Sequence, residues 1–307
     1  AYEIRPRDWS SDVCSSDLVG GFPHEGAKIR FDGAGKVDVI VAAQSQGQGH
    51  ETSFVKVVAE RLGVPFEAVM LHQGDSDDAP RGIATIASRS MIMTGSAMAR
   101  TCDAVIEKGR LVAGHFLEAA AADIEFTNGN FRVAGTDRQI ALFELVTRLK
   151  AWPERPADLP ASLDSSEEYA ASDQFFPNGC HVCEIEIDPE TGNLTVDRYT
   201  AVDDVGIVIN PMIVHGQVHG GVAQGLGQVL REAIVYGEDG QLLTGSLMDY
   251  AMPRASDQPA LKVDFHEVPC LTNPLGVKGV GEAGMVGALP AVMNAIADAL
   301  EIGRAHV

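Results

Sequence analysis

Aromatic residues are scarce in this chain, 6 % of 307 residues, which argues against a ring-stacking binding surface. Positive charge is scarce too. Lys and Arg number 23 against 43 Asp and Glu, and the net charge of −20 excludes a general binder of nucleic acid or anionic membranes, since both require basic patches. Five cysteines over this length do not make a disulfide scaffold and suit a reducing compartment, so a bacterial cytoplasmic location is expected. No GxSxG or Walker A motif is present, and no cysteine spacing suits an iron–sulfur cluster. His215 and His219 share a helical face, but Gly216 stands where the glutamate of HExxH must be, which disfavours zinc-protease chemistry. Residues 205–230 lack Asp, Glu, Lys and Arg, yet contain Asn210, Pro211, glutamines and histidines that are costly in lipid. A buried, close-packed helix fits them better than a membrane span. What the chain does have in quantity is glycine, 32 residues, pointing to many close backbone approaches.

The two ends read as foreign. One codon choice for Asp12-Val13-Cys14-Ser15-Ser16-Asp17 has a reverse complement that translates as Ile302-Gly303-Arg304-Ala305-His306-Val307, and that DNA resembles a common sequencing adapter. Residues 1–18 and 302–307 are therefore expected to be adapter, with Trp9, Cys14 and His306 carrying no biology. The remainder divides into residues 19–173 and 174–301 around a Pro-, Ser- and acid-rich stretch at 152–173, the one plausible linker.

Apolar periodicity gives a strand at 36–43, a helix at 50–62 closed by Gly63, and a short strand at 69–72. One or two helices follow over 88–118, then a hairpin at 123–133 turning at Asn128-Gly129-Asn130. A second hairpin pairs 183–188 with 194–202, and helices follow at 211–231 and 290–300. Helices and strands mix without strict βαβ alternation, which indicates an α+β fold. Cys180 and Cys183 form a CxxC on a strand, where i and i+3 face opposite sides, so structural cysteines are expected rather than a redox or metal pair.

Three glycine-bearing segments carry polar groups. Gln46-Gly47-Gln48-Gly49-His50-Glu51-Thr52 lies between a strand and a helix start; it reads either as an amide cradle for an anion or as a tight turn capped by Thr or His. Ser88-Arg89-Ser90 also precedes a helix, with hydroxyls and a guanidinium suited to phosphate, or a plain solvated cap. The acidic loop at Asp75, Ser76, Asp77 and Asp78 lacks EF-hand spacing, so hydrogen-bond acceptors or turn residues are expected. Gly279, Gly281 and Gly284 make a formal GxGxxG, but Pro269 and Pro274 interrupt the approach and no strand precedes it. Glu282 within that loop suits a general base, the alternative being a surface glutamate in a turn.

Taken in order, these segments resemble the C-terminal part of the molybdenum-binding large subunit of the xanthine dehydrogenase/aldehyde oxidase/carbon monoxide dehydrogenase family. The matching stretches are Gly47 to Thr52, Gly74 to Asp77, Ser88 to Ser90, Asp204 to Pro211, Gly216 to Gly225, Asp249 to Arg254 and Asn273 to Gly284. Ser76 stands where Thr is more usual, Cys270 and Leu271 replace more polar residues, and Met285 follows the glycine loop where smaller or β-branched residues are typical.

The resemblance implies a molybdopterin dinucleotide with molybdenum, in the cytosine form, held by Gln46, Gly47, Gln48, Gly49, His50, Thr52, Asp75, Ser76, Ser88, Arg89, Ser90, Asn210, Gln217, Lys278, Gly279 and Gly281. No protein side chain is expected to ligate the metal, which the pterin dithiolene would hold. Glu282 matches the family's catalytic glutamate, the base in hydroxylation of an electron-poor carbon with water-derived oxygen. The substrate would be a small carbonyl compound, an N-heterocycle or carbon monoxide. FAD and 2Fe–2S clusters are implied on partner subunits, an FAD medium subunit and an iron–sulfur small subunit in a dimer of heterotrimers. The resemblance also implies a missing N-terminal half of the same large subunit. A non-catalytic cofactor-binding or assembly relative is the alternative, and an intact Glu282 counts against it.

Overall fold

The computed structural model describes residues 7–10, 24–173 and 176–300. In chain order its elements are β1 (Arg7–Ser10), β2 (His24–Phe31), β3 (Val37–Val41), α1 (His50–Leu62), β4 (Val69–Gln73), α2 (Ser90–Phe116), β5 (Ile124–Thr127), β6 (Asn130–Val133), β7 (Gln139–Ala141) and α3 (Leu142–Lys150). They continue with β8 (Ser165–Ala170), β9 (Asn178–Ile187), β10 (Leu194–Asp204), α4 (Pro211–Leu230), β11 (Ala260–Phe265) and α5 (Ala283–Ala299). The mixture is α+β, as the sequence indicates. Two compact units form: the first is Leu18–Gln174 with Leu271–Gly276, the second Ala1–Asp17, Phe175–Cys270 and Val277–Val307.

The first unit is built on a sheet of order β4-β3-β2-β8, in which β3 and β4 run parallel and the other pairs antiparallel. Strand β2 buries Glu25, Ala27, Ile29 and Phe31 at a spacing of two, the period of a strand with one covered face. The long helix α2 lies against β2 and β8, and the Thr101 hydroxyl donates to the Ala27 carbonyl at 3.2 Å. The hairpin β5–β6 turns at Asn128 and Gly129 and continues into β7. One expectation needs correction. The second half of the supposed linker is β8, paired with β2 from Ser165 to Ala170. Its acidic residues disguised it, but Ser165 and Tyr169 point inward, and Tyr169 packs under the Arg100 guanidinium at 4.9 Å.

In the second unit the sheet order is β1-β9-β10-β11, with β9–β10 a hairpin and β10–β11 parallel. Helices α4 and α5 cover it, burying Tyr199, Ala201, Val218, Val222, Ala288 and Val292. The two helices touch backbone to backbone: a Cβ on Gly284 would lie 2.4 Å from the Val218 carbonyl oxygen, and one on Gly221 would lie 2.7 Å from the Met285 nitrogen. This contact explains a second correction. Helix α5 starts at Ala283, seven residues before the expected start at Pro290, which sits inside it. Close packing on α4 offsets the single hydrogen bond that proline removes.

Cys180 and Cys183 lie on β9, Cys183 buried and Cys180 half-buried. Among the described residues no helix is long and apolar enough to cross a membrane. The expected adapter segments lie outside the described residues except for β1, which pairs with Asn178–His181 at the sheet edge. Main-chain pairing at an open edge does not depend on side-chain sequence, so a strand in that place is compatible with the adapter reading.

Candidate functional site

Because β3 and β4 are parallel, their C-terminal ends share one edge of the first sheet. The chain leaving β3 passes through residues 42–49 into α1, and the chain leaving β4 passes through 74–89 into α2. Two loops and two helix N-termini thus gather at the strand ends, the place where open sheets bind ligands and where exposed amides favour anions. Direct bonds tie the loops together. The Thr85 hydroxyl donates to the Gln44 carbonyl at 2.7 Å and accepts from the Ser90 hydroxyl at 3.2 Å. The Gly74 amide donates to the Val41 carbonyl at 3.0 Å.

Within this cluster Gly47 and Gly49 have φ of 106° and 79°, left-handed conformations that side chains resist, and a Cβ on Gly47 would meet nothing within 4 Å. The Gly49 carbonyl accepts the first amide bonds of α1, from Thr52 and Ser53, both at 3.1 Å. The Gln46 amide donates to the Gln48 side chain. His50 is buried and stacked on Phe54 at 4.1 Å, with Gln73 at 3.2 Å from Nδ1 and the Gln48 amide nitrogen at 3.1 Å from Nε2. Burial holds its imidazole below the ordinary histidine range, although Gln73 and the Ala43 backbone act the other way. The Glu51 carboxylate is held low by its own amide, with Gln73 and Ser45 assisting.

The second loop includes Ala87 and Ser88 at φ 51° and 53°, two consecutive non-glycine residues in the left-handed region. Such strain persists only where the surroundings impose it, and the cause lies next door. Arg89 is 1 % exposed, and its guanidinium donates to Glu25 of β2 at 2.8 Å. The guanidinium that the sequence offers to a phosphate points inward, while Ser88 and Ser90 flank it. Burial pushes the Glu25 carboxyl up more than Arg89 and the Ile83 amide hold it down. Asp75 and Ser76 are exposed, and Asp75 accepts from the Asp77 amide at 3.0 Å. Asp78 accepts a two-pronged bond from Arg30 at 2.6 and 2.7 Å. The acidic loop therefore works as a set of acceptors.

The remaining predicted residues belong to the second unit. Asn210 caps α4 by accepting from the Ile213 amide at 3.3 Å, and half-buried Gln217 lies two turns along that helix. Gly279 is buried, Gly281 exposed, and Glu282 half-buried at the residue preceding α5. No strand leads into this loop, as its prolines require. Lys278 is paired with Asp204 rather than presented as a bare charge. Among the described residues no group of three or more His, Cys, Asp or Glu could hold a metal. A cleft of about 530 Å³ beside Glu107, Arg110, Ile124 and Phe126 contains none of the predicted residues.

Sequence reasoning missed Glu25, Gln73, Thr85 and Asp204. The signal for Glu25 was readable: a carboxylate on the inward face of a strand with period two needs a buried cation. Thr85 and Gln73 offered none, because their partners are set by tertiary approach.

A family model described as "Molybdopterin cofactor-binding domain" matches residues 11–259. The carbon monoxide dehydrogenase large chain of Afipia carboxidovorans is 35 % identical over 286 residues, covering 92 % of this chain and 35 % of that protein. The nicotine 6-hydroxylase large subunit of Paenarthrobacter nicotinovorans is 36 % identical over 279 residues, 90 % of this chain and 34 % of the relative. The solved structure of reconstituted CO dehydrogenase from Oligotropha carboxidovorans superposes with a TM-score of 0.90 at 34 % identity, covering 97 % of this chain and 38 % of that one. The chain thus spans about a third of the length of these relatives.

Proposed function

This chain belongs to the molybdopterin cofactor-binding domain family, and from that premise we propose that it is part of the large subunit of a molybdenum-dependent hydroxylase. The reaction class is oxidation of a small carbonyl or N-heterocyclic substrate, or of carbon monoxide, with oxygen from water. Relatives named for carbon monoxide and for nicotine stand at 35 % and 36 % identity, so overall likeness supports the class and selects no single substrate.

The observation that carries the proposal is the amide- and hydroxyl-rich cluster at the β3/β4 ends. Left-handed Gly47 and Gly49, the start of α1, and Ser88 and Ser90 at the start of α2 offer donors around space that a Cβ on Gly47 leaves open. That chemistry fits a phosphate-bearing organic cofactor: a molybdopterin dinucleotide, which we place in the cytosine form. Gln46, Gln48, His50 and Thr52 would complete the cradle from the α1 side, Asp75 and Ser76 from the β4 loop. In the second unit, Asn210, Gln217, Lys278, Gly279 and Gly281 are the residues we assign to cofactor binding. Bound there, the cofactor would supply the two-electron acceptor and the site of oxygen activation.

Glu282 would collect the proton released as the new carbon–oxygen bond forms, a role open to a half-buried carboxylate at a loop–helix junction. The exposed Gly281 beside it would admit close approach of a ligand. Exposed Met212, Leu247, Met248 and Leu271 support burial against further protein. We assign that protein to the upstream part of the same subunit, an iron–sulfur small subunit and an FAD medium subunit, paired as a dimer of heterotrimers in the bacterial cytoplasm. The test is to co-express the native gene with its neighbouring subunits and measure molybdenum and acid-released CMP. Stoichiometric amounts of both are expected; an enzyme with neither contradicts the proposal.

A further inference from the structure

The loop carrying Glu282 is tied down by one carboxylate outside the predicted site. Asp204 is the last residue of β10, its side chain 12 % exposed. Its Oδ1 accepts from the amides of Gly206 at 2.9 Å and Val268 at 3.1 Å, and its Oδ2 accepts from the Lys278 ammonium. Beside this junction the Lys278 amide donates to the Val205 carbonyl at 2.7 Å, and Gly206 and Val277 form an antiparallel bridge. One side chain thus joins the turn after β10, the segment after β11 and the strand-like start of the loop that ends at Glu282. Burial pushes the Asp204 carboxyl up, but Lys278 and the two amides outweigh it and hold it below the usual carboxylate range.

We propose that Asp204 is a positioning residue for Glu282: through Lys278 it fixes the course of residues 277–282 between β10 and the start of α5. The effect is on loop geometry rather than bulk stability. Asp204 makes three contacts: two are to main-chain amides, and the third, to Lys278, is the one by which its side chain reaches the loop. In Asp204→Asn the Oδ1 acceptor for Gly206 and Val268 is retained. The Oδ2 acceptor becomes an NH₂ facing an ammonium, so the link to Lys278 is replaced by repulsion while the turn survives. The proposal rests on the functional reading for what Glu282 does, and on the structure alone for what holds it.

The experiment has two arms. In the 307-residue chain, hydrogen exchange of the amides of 277–282 is expected to rise about tenfold or more in Asp204→Asn, while those of α1 are unchanged. In the complete enzyme, kcat is expected to fall up to about 100-fold with molybdenum content unchanged and KM within about threefold, as for a displaced catalytic group. Asp204→Glu, which keeps a carboxylate toward Lys278, should lose less kcat than Asp204→Asn, and Lys278→Met should raise loop exchange as Asp204→Asn does and replaces it in the exchange arm if that variant does not fold. Unchanged exchange in the loop overturns the proposal, as does a fall in kcat that merely follows loss of molybdenum, or equal loss of kcat in Asp204→Glu and Asp204→Asn. If Glu282→Gln turns over normally, the functional reading fails instead, and the exchange arm still decides the clamp.

Discussion

Breaking the buried Glu25–Arg89 pair should cost the first unit far more than an ordinary surface substitution. The two side chains are 0 % and 1 % exposed and meet at 2.8 Å through Glu25 Oε2, while Oε1 has no hydrogen-bond partner among the described residues. Gly82 closes the pocket so tightly that a Cβ there would lie 1.9 Å from that oxygen, leaving little room for water. Glu25→Gln therefore removes the carboxylate charge that faces a buried guanidinium, a defect of about 3–5 kcal/mol. Glu25→Leu with Arg89→Met removes both charges at similar volume, and such replacements are often neutral or even stabilising. The assay is urea unfolding followed by tryptophan fluorescence. The chain has two tryptophans, so Trp9→Phe makes Trp152, which packs on His115 and Phe116 in the first unit, the sole reporter. With a denaturant slope of about 2 kcal/mol per molar, Glu25→Gln should lower the midpoint by roughly 1.5–2.5 M. The double variant should recover most of that loss. A single variant shifted by less than about 0.5 M, or a double variant with additive losses, would refute the reasoning.

Gly284→Ala should destabilise the second unit by about 1–3 kcal/mol, because the new methyl meets the Val218 carbonyl rather than a yielding side chain; a neutral effect in thermal unfolding contradicts the close approach of α4 and α5. His50 gives a pH dependence. Its folded-state pKa is depressed by burial, so its contribution to stability is complete above about pH 6.5 and is lost as pH falls towards the lower folded value. The Trp152-reported midpoint should decline between about pH 7.5 and 5, and His50→Gln should flatten that decline; parallel pH profiles for the two proteins would exclude His50 as its source.

Much of the site's chain order was legible because its determinants are local. Helix α1 has an apolar face at helical period and begins and ends at glycines, and the β5–β6 turn uses an Asn-Gly pair, so these follow from nearby residues. The errors arose where distant partners decide. Strand β8 carries Glu167 and Glu168 and reads as linker until β2 lies beside it. Helix α5 contains Pro290 and reads as late-starting until α4 supplies the packing. Arg89 shows the same limit at the level of chemistry. Two serines around a guanidinium describe a phosphate loop equally well whether the guanidinium touches the ligand or braces the loop from behind. Only the fold brings Glu25 underneath it.

The most direct test of the account is the turnover of Glu282→Gln in the complete enzyme, measured per bound molybdenum. A panel of carbon monoxide, aldehydes and N-heterocycles with an artificial electron acceptor identifies a working substrate for the wild type first. The account predicts that turnover is abolished while molybdenum and CMP stay near wild-type levels, since the glycine and serine loops that would hold the cofactor are untouched. Turnover undiminished at full molybdenum occupancy would contradict it.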